Sequence, residues 1–206
     1  MNLLHTLRDA GEIEDLGDLT DKANAIAAHM RPILEGLGMD LTDSSVKDTP
    51  VRFAKYLLEF HQQLDFEEIM GPGFDSDESA MVIQSGIPFR MMCEHHLLPA
   101  TGRACVGYIP NKKVVGLSKL WRLVQAVGVS EPSLQEHICD TIAEALNDHI
   151  EPKGVMVVIE AEHDCMACRG VNSPGVITTT SSIKGIFLSE PSARAEFLSL
   201  AKVRSL

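Results

Sequence analysis

Val155-Met156-Val157-Val158-Ile159-Glu160-Ala161-Glu162-His163-Asp164-Cys165-Met166-Ala167-Cys168 is the stretch on which the reading of this chain turns. Its first half is apolar and β-branched, which predicts a buried strand. Residues 155, 157, 159 and 161 share one face of that strand. If it persists, His163 and Cys165 follow on the same face, and an imidazole and a thiol emerge side by side at a strand's end. Working outward, Cys93-Glu94-His95-His96 adds a second thiol, a carboxylate and two imidazoles in four consecutive residues. Cysteine and histidine are natural zinc ligands, and histidine and glutamate are the usual general acids and bases.

Two metal sites can be built from these parts. Cys93-x-x-His96 with Cys165-x-x-Cys168 has Cys₃His spacing, the mark of a closed structural zinc site, and spacing alone favours it. Alternatively Cys93, His96 and Cys165 hold the ion and water takes the fourth place. That open site would be catalytic, because the ion lowers the pKa of its water toward neutrality. A redox pair of Cys165 and Cys168 is a third reading.

The totals limit what such a site can serve. The chain has 206 residues, 45% hydrophobic and 23% charged, with a formal net charge of -11. That suits one soluble domain with an added arm, and argues against a protein that coats nucleic acid or an anionic membrane. An anionic small substrate would need its own local cluster of Lys and Arg. No apolar run approaches a membrane span of about 20 residues, and the N-terminus lacks a signal peptide's pattern, so a cytoplasmic protein is expected. Five cysteines, an odd number, favour free thiols or metal ligands over disulfides.

Residues 1–18 read as an acidic arm. From Thr20, apolar residues at Ala23, Ile26, Ala27, Met30, Ile33, Leu34 and Leu37 predict a helix that Pro32 kinks or divides. Thr49-Pro50 opens a second helix with Phe53, Leu57 and Phe60 inward. The loop Gly71–Asp77 separates a helical part, 1–70, from a core, 71–206. In that core, Met81–Ile83 and Ile87–Phe89 predict strands leading into Cys93, and Thr101–Ile109 predicts another. One helix starts at Ser118 and a second runs from Ser133 to about Ile150. The strand from Val155, a threonine-rich strand Val176–Ser182 and a terminal helix near Pro191 complete an α+β fold.

Several motifs together resemble GTP cyclohydrolase I. They are Asp48-Thr49-Pro50, Pro88-Phe89 with Cys93-Glu94-His95-His96, Gly116-Leu117-Ser118-Lys119, Gln135-Glu136, His163-Asp164-Cys165 with Arg169-Gly170, and Thr178-Thr179-Thr180-Ser181. They occur in the family's order over roughly residues 20–203. The resemblance implies the tunnelling fold (T-fold): an antiparallel sheet with paired helices on one side, closed into a β-barrel by subunits. It implies a decamer of two pentamers, with the helical arm as an oligomer contact and active sites between subunits. It also implies one zinc per subunit on Cys93, His96 and Cys165, reversing the preference from spacing.

The same resemblance implies roles for other residues. His95 and His163 are expected as acid/base groups, with Ser118 and Gln135 assisting catalysis and Glu136 accepting from the guanine edge. Lys119, Arg122 and Arg169 are expected around the ribose and triphosphate, and Arg52 and Lys55 at the phosphates from a neighbouring subunit. The implied reaction converts GTP and water to formate and 7,8-dihydroneopterin triphosphate, which feeds pterin, folate-type or deazaguanine synthesis. A sister T-fold enzyme acting on a purine or pterin, and a non-catalytic zinc-stabilised module, are the alternatives.

Some of these residues have plainer explanations. Ser133-Leu134-Gln135-Glu136 is a Ser-x-x-Glu capping box before an apolar stripe, and by itself reads as a helix cap. Lys119 and Arg122 at a helix start could be solvated charges, although a helix N-terminus is also a phosphate site. Thr178–Ser181 reads as strand and nothing more. Ala167-Cys168 stands where the family often has Lys-Ala, which removes a cation and adds a thiol.

Overall fold

The computed structural model describes residues 16–201, with side chains described from Thr20 onward. The expected acidic arm therefore falls, as far as Asp15, outside the described residues. The chain divides into two compact units, Met1–His61 and Gln62–Leu206.

In the first unit, α1 (Leu16–Gly36) pairs with α2 (Thr49–Leu58). Of the two outcomes expected at Pro32, division does not occur: α1 runs through it to Gly36. The contact between the helices is made by small side chains. Ala23, Ala27 and Ala54 are buried, with Ile26, Val51 and Leu58 packed around them. Small residues let the helices approach, so the larger apolar residues expected inward are left at the margin: Ile33, Leu37 and Phe53 are exposed. Pro50 opens α2, where its missing N–H costs nothing.

The second unit is built on one antiparallel sheet of four strands, ordered β2-β3-β5-β6. They are β2 (Val82–Met92), β3 (Pro99–Ile109), β5 (Gly154–His163) and β6 (Ile177–Gly185). A two-stranded pair, β1 (Phe74–Asp75) with β4 (Lys113–Val114), lies beside it in sequence. The two strands expected around residues 81–89 are one strand, β2, whose register against β3 shifts between Gln84 and Ile87. Gly86, at φ 72, takes the left-handed conformation that this bulge needs.

Two helices, α4 (Leu117–Gly128) and α5 (Gln135–Ile150), cover one face of the sheet. Leu120, Leu123, Val124, Val127, Ile138, Ile142 and Leu146 point down from them onto Val155, Val157, Ile159 and Ala161 of β5. Leu64, Phe66, Ile69 and Met70 join this core, so α3 (Phe66–Met70) packs with the sheet domain. The opposite face of β5 shows Met156 and Val158 to a smaller cluster with Phe187 and Phe197, from α7 (Ile186–Ser189) and α8 (Pro191–Ala201). This is the α+β layout, sheet with paired helices, expected of the tunnelling fold.

β5 thus behaves as its alternation predicts up to His163, where its pairing with β3 ends at Ala100. Beyond that point the chain has no ladder to continue and turns into a short helix, α6 (Asp164–Ala167). Cys165 reaches its position from the first turn of α6, not from a continuing strand.

Candidate active site

The turn between β2 and β3 is the first half of the site. Cys93 N–H donates to Leu98 O at 2.9 Å, and Leu97 N–H donates back to Cys93 O at 2.9 Å. Leu97 adopts a positive φ of 50°, which a non-glycine residue takes at some cost. That reversal lays His96 over Cys93, whose Sγ is 3.8 Å from His96 Nδ1. The turn is tied to the segment before α5: Cys93 forms a parallel bridge with Ser133, Ser133 N–H donates to Met92 O at 2.9 Å, and Glu94 N–H to Ser133 O at 3.3 Å.

These bonds overturn the capping-box expectation. Ser133 is held in the bridge, Leu134 is the residue that precedes the helix, and no side chain caps α5. Glu136, in the first turn of the helix, is exposed, and a carboxylate there is favoured by the helix dipole.

The second half comes from β5 and α6. Cys165 joins Cys93 and His96 so that one donor atom from each lies within 4.8 Å of the others. One ion at about 2.3 Å from sulfur and about 2.0–2.1 Å from nitrogen can draw such a group together. Two soft thiolates with an imidazole are a donor set suited to zinc. Cys168 stands outside the group: it is exposed, and its Sγ donates to Asp164 O at 3.0 Å. The Cys₃His reading is therefore not what the fold assembles. Burial, and then the neighbouring Cys93, push the Cys165 thiol up, while Arg169 pulls it down. All five cysteines are free, and Cys105 and Cys139 are buried thiols raised by desolvation to about 12 and about 11.

His163 lies at the last position of β5. Its Nε2 bonds to Gln135 Oε1 at 2.7 Å. Burial lowers its pKa and the nearby Glu136 charge opposes that shift, so Gln135, Glu136 and His163 form one cluster. Gln135 is 2% exposed, and its Nε2 reaches Ile159 O at 3.1 Å, Thr178 O at 3.1 Å and Thr180 Oγ1 at 3.0 Å. Thr178 and Thr180 are thus part of the site's support, which the sequence reading missed. Only the β5–β6 register, which sets Thr180 opposite Ile159, reveals it.

His95, by contrast, is open to solvent, with Nε2 3.7 Å from Glu94 Oε1. Ser118 and Lys119 lie in the first turn of α4, with Arg122 one turn on. No side chain caps that helix; Lys119 N–H donates to Gly116 O at 2.8 Å, and the N–H groups of Leu117 and Ser118 before it are the ones a helix start offers to an anion. The Lys119 ammonium rests by Gly71, where an added Cβ would sit 3.2 Å from Nζ. Arg122 and Arg169 are exposed. Arg52 and Lys55 are on α2 in the first unit, where Arg52 lies 3.7 Å from Asp48 in an exposed pair.

A family model described as GTP cyclohydrolase I matches residues 26–202. The chain belongs to the GTP cyclohydrolase I family. Among relatives, GTP cyclohydrolase 1 of Hydrogenobaculum sp. (strain Y04AAS1) is 46% identical over 184 residues, covering 89% of this chain and 100% of that protein. GTP cyclohydrolase 1 of Halalkalibacterium halodurans is 49% identical over 173 residues, or 82% of this chain and 92% of that protein. The Bacillus subtilis (strain 168) enzyme of the same name is 46% identical over 172 residues, 82% of this chain and 90% of its own length. In this member of the family, the three-donor cluster and the Gln135–His163–Glu136 group come from separate stretches of sequence. β5, α5, α6 and the β2–β3 turn bring them together.

Proposed function

We propose that this chain hydrolyses and rearranges GTP to formate and 7,8-dihydroneopterin triphosphate, with zinc held by Cys93, His96 and Cys165. The observation that carries this reading is the convergence of those three donors, without Cys168, in a chain of this family. Zinc in this cradle supplies Lewis acidity and a water that is activated near neutral pH.

The protein's own groups do the rest. His163, fixed at the end of β5, exchanges a proton with the purine as its five-membered ring opens, and His95 and Ser118 serve the later proton transfers of the sugar rearrangement. Glu136 accepts from the guanine N1–H and exocyclic amine. Lys119, Arg122 and Arg169 take the triphosphate, aided by the open N–H groups of α4. Holding the substrate at both ends keeps the reacting carbon at one place through several steps.

The active unit is a decamer of two pentamers, in which Arg52 and Lys55 reach the phosphates from a neighbouring subunit and the helical arm, residues 1–70, joins the pentamers. No helix among the described residues is long and apolar enough to cross a membrane. The cytoplasm is where the GTP substrate is met. The deciding assay is purified, zinc-loaded protein with GTP, followed for formate and for the fluorescent oxidised pterin. Both products are expected, and absence of both would overturn the proposal. Light scattering should find the decamer; an active monomer would remove the shared-site reading.

A further inference from the structure

The amide of Gln135 has a fixed orientation. Its nitrogen faces two backbone carbonyls, Ile159 O and Thr178 O, together with Thr180 Oγ1. Carbonyl oxygens only accept, so a flipped amide would set Oε1 against two acceptors in a buried place and leave its NH₂ pointing at His163. Thr180 supports the same sense. Its hydroxyl also contacts the Cys139 thiol, one helical turn along α5 from Gln135, and Cys139 Sγ in turn donates to Val157 O at 3.6 Å. In this ladder, from β5 through α5 to β6, Gln135 and Cys139 have their donor ends set by backbone carbonyls that cannot reverse, and Thr180 lies between them.

The end of the ladder is Oε1, an acceptor, 2.7 Å from His163 Nε2. The nitrogen facing it must carry the hydrogen. We propose that Gln135 is a positioning residue that fixes neutral His163 as its Nε2–H tautomer, with Thr180 anchoring the amide, so that His163 gives and takes protons through Nδ1. This rests on the reading of His163 as an acid/base group, and it gives Gln135 its part in catalysis from behind that histidine. It is the arrangement in which the second nitrogen of a working imidazole is oriented by a hydrogen bond to its first.

The tautomer can be read without turnover. Zinc-loaded full-length protein carrying ¹⁵N-labelled histidine would be studied by solid-state ¹⁵N NMR at mildly alkaline pH, where imidazole is neutral. The signals lost in His163→Gln identify the residue. A pyrrole-type Nε2 with a pyridine-type Nδ1 is expected; the reverse pattern would overturn the proposal. In kinetics, Gln135→Met should lower kcat by about tenfold to a hundredfold, the cost typical of residues that orient an active-site group, with KM for GTP and zinc content little changed. A rise in KM at constant kcat would make Gln135 a substrate contact and overturn the assignment.

Should Gln135→Met fail to fold, Thr180 gives a second route. Thr180→Val should lower kcat by about threefold to tenfold, as loss of one neutral hydrogen bond would, and Thr180→Ser should restore it. Equal losses in both would mean packing and would overturn the anchor. A His163→Gln enzyme with undiminished turnover would instead defeat the acid/base reading beneath the proposal, whatever the tautomer.

Discussion

The two histidines that flank the donor cluster are held in opposite ways. His163 ends a central strand, half-buried, bonded at 2.7 Å to a glutamine that is itself clamped between two strands. His95 sits in a turn with 62% of its side chain exposed, its nearest charged partner a carboxylate 3.7 Å away. Both are imidazoles beside the same three donors. The difference is preorganisation: one ring cannot turn without breaking a buried network, and the other is open to solvent. A fixed ring suits a proton transfer that must occur at a defined place.

The widest separation between the two regions should appear when the donors themselves are changed. Cys165→Ala should lose zinc and lower kcat/KM by well over the roughly hundredfold expected for a supporting residue, whereas Cys168→Ser should leave zinc content and kcat/KM unchanged. Metal analysis beside steady-state kinetics checks both. His163→Ala comes next, with a fall in kcat of about a thousandfold and zinc retained, against about tenfold to a hundredfold for His95→Ala. Equal losses for the two histidines would break the contrast drawn here. Glu136→Gln should reduce kcat/KM for GTP by about tenfold to a hundredfold, mainly through KM, as loss of a charge-assisted hydrogen bond to substrate predicts.

The smallest effect belongs to the solvent side of α5, which is tied to β6 without touching the chemistry. Lys184 Nζ lies 2.8 Å from Asp140 Oδ1 and 3.2 Å from Glu144 Oε1, and Ser182 donates to Asp140 at 2.7 Å. The bonds from Lys184 and Ser182 hold the Asp140 pKa below its ordinary value, so its contribution to stability is full above the unfolded carboxylate pKa and is lost as pH falls through the lower folded one. Lys184 is raised, chiefly by Asp140. Its contribution is full below the ordinary lysine pKa and is lost as pH rises through the higher folded value. Between those limits the pair is flat with pH, and because it is solvent-screened Asp140→Asn should cost only about 0.5 kcal/mol in denaturant unfolding, with kcat unaffected.

How much of this was legible in the sequence follows the same divide. The alternation of Val155, Val157, Ile159 and Ala161 placed His163 correctly, because a strand paired on both sides keeps its period. Past His163 the ladder ends, so parity says nothing of Cys165, which arrives through α6. Spacing put Cys165 in both metal-site readings, and the family motifs turned the preference to the one without Cys168, which the fold leaves outside the donor cluster. The Ser133–Glu136 cap failed for a nonlocal reason: Ser133 spends its backbone on the Cys93 turn, a partner 40 residues away in sequence, from 93 to 133. Thr180 was invisible as a supporting residue until the register of β5 with β6 was known. Pro32 lies inside α1 without ending it, although a proline in a helix interior removes one backbone N–H and so predicted a kink or a break.

The central claim is that this fold offers a metal three protein donors and keeps the fourth place for chemistry. Zinc-edge X-ray absorption on the loaded protein tests it directly. The account predicts two sulfurs, one imidazole nitrogen and one further light atom that is not histidine. A shell of three sulfurs and one nitrogen would bring Cys168 to the metal, close the site and contradict it.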